Sequence, residues 1–275
     1  MQDIMTAPFL QEFCRLTDNM YRLGWDERNG GNISAMLDEE QVSPYLDTTR
    51  VLRRLPLSFD ARQLAGRLFL VTGTGKYFRN VSFDPASHLG LFRIAPTGDA
   101  IDLLWGYADG GAPTSELPTH LMSHIARLEV DPTHRVIVHT HAPNIIAMTF
   151  VHPLDDRAMT RSLWRMITEC MVVFPDGVGV LPWMLCGGDE IGEATAAKMR
   201  DTRLVIWAHH GLLGAGANFD EAFGLVETVE KAAQIYIAIA HWPRLAEIRD
   251  DELRVLAKAF RVTPRAGFLD VPDED

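Results

Sequence analysis

Apolar residues recur along the chain at two different periods. Phe9, Phe13, Leu16, Met20 and Leu23 follow Thr6-Ala7-Pro8 at spacings of three and four and stop at Gly24, which predicts an amphipathic helix opening on proline. The same spacing puts Leu117, Leu121, Ile125 and Leu128 on one face of a helix after Pro113, capped by Thr114 or Ser115, with Glu116 in its first turn. Further helices are expected from about Pro143, around Met159, Leu163 and Trp164, and after Gly188. Another opens at Asn218, with Glu221 completing a capping box, and the last is capped by Asp250 and runs through Leu253, Leu256 and Phe260. Between them stand short apolar runs bounded by turn residues, the pattern of buried strands. These are the run after Asn32, Leu68 to Val71, Arg135 to His141, Cys170 to Phe174, Val178 to Leu181 and Leu204 to Trp207. Gly90 to Ala95 and Ile101 to Trp105, separated by Pro96-Thr97-Gly98-Asp99, form a hairpin signal. The stretch from Pro44 to Arg67 reads as a loop with one short strand near Leu55 to Leu57. Strands separated by helices, with at least one hairpin, predict an α/β fold in which helices cover a mixed central sheet.

Composition narrows the class. The 275 residues show no linker or composition shift, so a single domain over 1–275 is expected, and 47% hydrophobic content suffices for its core. A net charge of −11 argues against nucleic acid or an anionic membrane as partner, although a Gly-rich turn can still bind a small phosphate locally. Cys14, Cys170 and Cys186 are odd in number and widely spaced, which fits reduced thiols in a cytoplasmic protein, each expected as a small core residue. The N-terminus, with Asp3 and no basic stretch, does not read as a signal peptide, and no run reaches the length of a transmembrane helix. The acidic tail from Asp270 to Asp275 is expected to fray.

Candidate chemistry sits at the ends of the strands. In Arg135-Val136-Ile137-Val138-His139-Thr140-His141 the two histidines are two residues apart, so in a strand both imidazoles share the face of Ile137 and reach the strand end together. They make half of a metal site, for which a second apolar run ending in histidine, Leu204 through His209-His210, or the carboxylate of Glu116 could supply the rest. A carboxylate at a helix start can equally be a partner for the helix dipole. Asn29-Gly30-Gly31-Asn32 and Thr72-Gly73-Thr74-Gly75-Lys76 are Gly-rich turns that can either simply reverse the chain or offer amides and hydroxyls to an anion. The spacing is not that of a P-loop, and no Gly-x-Gly-x-x-Gly follows a strand. Only four lysines exist, and Lys198 and Lys231 fall on amphipathic helices, which disfavours a Schiff-base route.

These blocks, Gly24-Trp25-Asp26-Glu27-Arg28-Asn29-Gly30-Gly31-Asn32, Thr72 to Lys76, Pro113-Thr114-Ser115-Glu116-Leu117-Pro118, Val138 to His141, Thr168-Glu169 through Asp176-Gly177, and His210-Gly211, together resemble the class II aldolase/adducin family over nearly the whole chain. The resemblance implies a three-layer α/β/α fold and a lyase in rhamnose catabolism: a Zn²⁺-dependent, reversible cleavage of L-rhamnulose 1-phosphate to dihydroxyacetone phosphate and L-lactaldehyde. It also implies a cytoplasmic homotetramer with active sites near the subunit interfaces. His139, His141 and His210 would hold one zinc per chain, and Glu116 would be the catalytic acid/base. Asn29, Gly31, Asn32, Thr74, Gly75 and Ser115 would surround the phosphate and the ketose oxygens. Glu169, on residue pattern alone a surface charge at a strand start, would by the resemblance reach a neighbouring subunit's site. His209 has no ligand counterpart, and Thr74 stands where the family pattern has serine, keeping the hydroxyl and adding a methyl. Related enzymes acting on L-fuculose 1-phosphate or ribulose 5-phosphate share the metal site, so they form the alternative within the family. A zinc hydrolase would consume water, a cupin-type oxygenase would be all-β, and a non-enzymatic relative would have no need of the ligands and Glu116.

Overall fold

The computed structural model describes residues 1–269, so the expectation for the acidic tail lies outside the described residues. The strands are β1 (Asn32–Leu37), β2 (Arg53–Pro56), β3 (Leu68–Thr72), β4 (Leu89–Ile94), β5 (Ala100–Gly106), β6 (Val136–Thr140), β7 (Gly179–Leu181), β8 (Leu204–Trp207) and β9 (Gly211–Gly216). The helices are α1 (Pro8–Arg22), α2 (Glu39–Val42), α3 (Phe78–Val81), α4 (Pro85–His88), α5 (Leu117–Val130), α6 (Pro143–Val151), α7 (Asp156–Trp164), α8 (Thr168–Val173), α9 (Asp189–Met199), α10 (Phe219–Ile239) and α11 (Asp250–Phe260). The described strands form one nine-stranded sheet in the order β2-β5-β4-β3-β1-β6-β9-β8-β7. Among the described residues only β7 and β8 pair in parallel, which makes the sheet mixed.

Period-two alternation assigns each strand residue to one of two apolar layers. Ile33 and Ala35 of β1 and Val136 and Val138 of β6 pack with α1, α6, α7, α8, α10 and α11. Met36 and Phe69 face the opposite side with Leu117 and Leu121 of α5, and Ile137 and Val205 do so with Ile191 and Met199 of α9. The result is a sheet between two helical layers, with β1, β3 and β6 buried along their whole length.

Several expectations about individual elements are corrected. Cys170 to Phe174 belongs to α8 rather than to a strand. A short apolar run carries no decisive period, and here Cys170 and Met171 face inward together while Thr168 and Glu169 are exposed, as one helical turn allows. Glu116 is the N-cap of α5 rather than a residue of its first turn. Pro118, which has no N–H to donate, fits at the helix start. The Glu221 carboxylate accepts from the Ala217 N–H (2.8 Å), one residue before the expected partner, while Asn218 caps α10 through the Glu221 N–H (2.9 Å). Asp250 is the first residue of α11 rather than its cap, and its carboxylate instead binds Arg161 and Arg165, each at 3.0 Å. Residues 38–67 hold α2 and the edge strand β2.

Antiparallel pairing positions the site. Asn32 at the start of β1 stands opposite His139 near the end of β6, and Thr140 stands opposite Leu212 near the start of β9. The end of β3 lies beside the start of β1, and an isolated bridge from Gly73 to Pro113 brings in the segment before α5. Five chain segments distant in sequence therefore meet at one end of the central strands.

Candidate metal and active site

His139 is the penultimate residue of β6 with its ring fully buried, and His141 lies one residue past Thr140, its N–H donating to the Trp25 carbonyl (3.0 Å). His210 follows β8 in the tight connection to β9. The ring centroids of His139 and His141 are 5.3 Å apart, and His210 lies 5.0 Å from each. One ligand nitrogen from each ring falls within 4.8 Å of the others.

Protonation and orientation favour lone pairs facing inward. The His139 Nδ1 lies 3.1 Å from the Leu212 carbonyl, which can only accept, so Nδ1 carries the proton and Nε2 the lone pair. That Nε2 is buried without a hydrogen-bond partner. Burial, with His141 and His210 nearby, holds the His139 imidazole well below its ordinary range, and burial lowers His210 to about 4. Neutral imidazoles with an unpartnered buried nitrogen are what a borderline divalent cation requires, so the residues present fit a metal. The Glu27 carboxylate, 3.0 Å from the His141 Nδ1, orients the His141 ring in the same way. His209 adopts φ 62°, contacts Thr149, lies against the tilted Phe150 ring (4.2 Å between centroids), and is not part of the ligand cluster of His139, His141 and His210.

Glu116 is buried, and its Oε2 lies 3.6 Å from the His139 Nε2. Its side chain makes no capping hydrogen bond to α5 and instead accepts from the Asn32 Nδ2 (3.0 Å). Burial raises its carboxyl above the usual range, against lowering effects from Asn32 and His141.

The cavity beside this carboxylate has a volume of about 310 Å³ and is lined by Asn29, Gly31, Asn32, Thr74, Gly75, Ser115, Glu116, His141 and His210 among others. At Gly31, φ is 72° and an added Cβ would overlap the Asp26 carboxylate, while at Gly30 it would stand 2.8 Å from the His141 Nδ1. The paired glycines thus let the loop lie directly against Asp26 and His141, where a side chain at either position would collide. Both polar ends of the Asn32 amide are committed, one to Glu116 and the other to His120. Lys76 pairs with Asp109 and does not line the cavity. Glu169 is exposed on α8 and does not line it either.

Two features escaped sequence reasoning. Cys186, expected in the core, is exposed and lines the cavity, its Sγ within 4.8 Å of ligand atoms of Glu116 and His210. His120 and His124 are buried behind Glu116, and the four-residue spacing of 116, 120 and 124 along one helix stripe was a legible signal for them.

Residues 11–237 match the family model described as Class II Aldolase and Adducin N-terminal domain. The chain belongs to the class II aldolase and adducin family. Within this family, it is 57% identical over 271 residues to a rhamnulose-1-phosphate aldolase of Listeria welshimeri, covering 98% of both chains. It is 54% identical over 269 residues to the protein of that name in Listeria monocytogenes, again over 98% of both. A sugar-phosphate aldolase from Thermotoga maritima has a similar structure, with a TM-score of 0.75 at 30% identity over 86% of this chain and 97% of that one. The mixed-sheet α/β fold expected from the strand-and-helix pattern, and the class II aldolase three-layer arrangement implied by the motif resemblance, are thus the fold observed. No helix among the described residues of this class II aldolase is long and apolar enough to cross a membrane.

Proposed function

We propose that this class II aldolase is a zinc-dependent lyase that reversibly cleaves L-rhamnulose 1-phosphate to dihydroxyacetone phosphate and L-lactaldehyde, as a cytoplasmic homotetramer. The observation that carries the chemistry is a buried carboxylate, Glu116, 3.6 Å from the unpartnered Nε2 of His139 and facing a cavity walled by two Gly-rich loops. The substrate assignment rests on relatives at 54% and 57% identity that bear that activity in their names.

His139, His141 and His210 would hold one zinc per chain. A divalent cation there supplies positive charge that stabilises negative charge developing on the ketose oxygens. Asn29, Gly31, Thr74, Gly75 and Ser115 would receive the phosphate and the ketose oxygens, chiefly through backbone amides and the two hydroxyls. Asn32 lines the same cavity, and its committed amide would act there by holding Glu116 in place.

Cleavage breaks the C3–C4 bond: the C4 hydroxyl gives up its proton as it becomes the aldehyde, the bonding pair passes to C3, and C3 takes a proton. Glu116 would move the proton at C3. Its raised carboxyl keeps both protonation states closer to neutral pH than an exposed glutamate would. Glu169 of a neighbouring subunit would assist proton transfer at the aldehyde oxygen.

The test is an assay of purified, zinc-loaded protein against L-rhamnulose 1-phosphate, L-fuculose 1-phosphate and ribulose 5-phosphate with aldehyde detection. Highest kcat/KM for the rhamnulose ester is expected. Preference for another ketose phosphate would reassign the substrate, and water-dependent release of inorganic phosphate would overturn the lyase reading.

A further inference from the structure

Behind Glu116 a line of buried polar side chains runs between β1 and α5. Asn32 and Ser34 alternate onto one face of β1, and His120 and His124 follow Glu116 at four-residue intervals along α5. The Asn32 Nδ2 donates to the Glu116 Oε2 (3.0 Å), and the Asn32 Oδ1 faces the His120 Nε2. The Ser34 hydroxyl lies 2.7 Å from the His120 Nδ1 and 2.8 Å from the His124 Nε2. Ser34, His120 and His124 are at most 1% exposed, and none of them lines the active-site cavity.

The polarity of this line follows from counting protons. A carboxylate can only accept, so Asn32 presents its NH₂ to Glu116 and its carbonyl oxygen to His120. That oxygen accepts, so the His120 Nε2 carries a proton. Burial lowers the His120 imidazole to about 3, so the ring is neutral and its Nδ1 holds a lone pair. The Ser34 hydroxyl must then donate to Nδ1, and its own lone pair accepts from a proton on the His124 Nε2. Every donor points toward Glu116, and a different tautomer of His120 would set two acceptors face to face.

We propose that His120, held in its Nε2–H tautomer by Ser34 and His124, is a positioning residue that fixes which end of the Asn32 amide meets Glu116. With the amide reversed, its carbonyl oxygen would face the Glu116 carboxylate, repelling it from the pose beside His139. A serine and two histidines with no access to the cavity thereby set the placement of the proposed proton-transfer group. This rests on Glu116 acting as proposed above.

The experiment uses the zinc-loaded full-length protein and side-chain replacements that separate the two ring nitrogens. His120→Gln retains a donor near the Nε2 position, whereas His120→Asn retains a group only near Nδ1. Loss of the oriented hydrogen bond to a charged group should lower kcat by roughly 10- to 100-fold in His120→Asn, with KM within about threefold of wild type and full zinc content. His120→Gln should recover turnover to within about threefold of wild type. In an Asn32→Ala background, His120→Asn should change kcat by less than about threefold, since its effect passes through the missing amide. Equal activity of the Gln and Asn variants, or a full additional loss in the Asn32→Ala background, would overturn the proposal. ¹⁵N spectra of the histidine rings supply a readout independent of turnover: His120 and His124 should both be Nε2–H tautomers, and an Nδ1–H tautomer at His120 would overturn it too. The underlying reading fails separately, if wild type lacks aldolase activity or if Glu116→Gln turns over normally.

Discussion

At the scale of single residues, burial separates chemistry from decoration. Glu116 could have been a helix-dipole partner, but its carboxylate turns from the α5 terminus toward Asn32 and His139. On the proposed role as proton carrier, Glu116→Gln keeps the shape and loses proton transfer, so kcat should fall by roughly 10²- to 10⁴-fold with zinc content unchanged. Turnover near wild type would remove Glu116 from the mechanism, and a thermal midpoint alongside guards against misfolding. The adjacent histidines are separated by backbone geometry: His210 faces His139 and His141 at 5.0 Å, whereas His209 sits at φ 62° against Thr149 and Phe150. His210→Ala should empty the metal site and His209→Ala should not, as elemental analysis will read directly; stoichiometric zinc in His210→Ala would sink the ligand assignment.

At the scale of elements, α5 is built from two adjacent stripes. Leu117 and Leu121 belong to the apolar layer, while His120 and His124 bring buried polar groups that the hydrophobic pattern alone hides. These rings carry a stability cost at low pH. Burial, and for His124 also the neighbouring His120, lowers both rings from the ordinary 6.5 to about 3. Between those values the unfolded state binds more protons than the folded one, so their contribution favours folding fully above about pH 6.5 and declines as pH falls toward 3. Asp26 and Glu116, whose carboxyls burial raises, contribute slopes of the opposite sign, so a difference measurement is needed. His124→Asn should be less stable than wild type at pH 7.5, and the gap should narrow toward pH 4.5 in denaturant titrations. A gap independent of pH would show that His124 is not held neutral in the folded protein. The same scale explains the one strand that became a helix. Cys170 to Phe174 is equally apolar in either form, and packing against α7, α10 and α11 selects the helix.

At the scale of the whole molecule, the cavity of one chain contains Glu116 but is not lined by Glu169, which lies exposed on α8. If Glu169 serves a neighbouring subunit, mixing Glu116→Ala with Glu169→Ala chains and allowing exchange should restore part of the activity, because some hybrid sites contain both carboxylates. No recovery after verified exchange would confine Glu169 to a structural role. The sequence by itself determined the strand cores, the amphipathic helices and the sharing of one face by His139 and Ile137, because the periods of strand and helix are local properties of the chain. It also carried the glycine pairs and the spaced histidines, whose order matched the family. Only the tertiary structure decided that Glu116 leaves its helix end for Asn32, that Cys186 reaches the cavity, and that His120 and His124 complete a line of donors with Ser34. Those arrangements depend on segments distant in sequence packing together, as the 84-residue separation of Asn32 and Glu116 and the 90-residue separation of Ser34 and His124 illustrate. Burial and strand register set such contacts, and neither is written in any local period of the sequence.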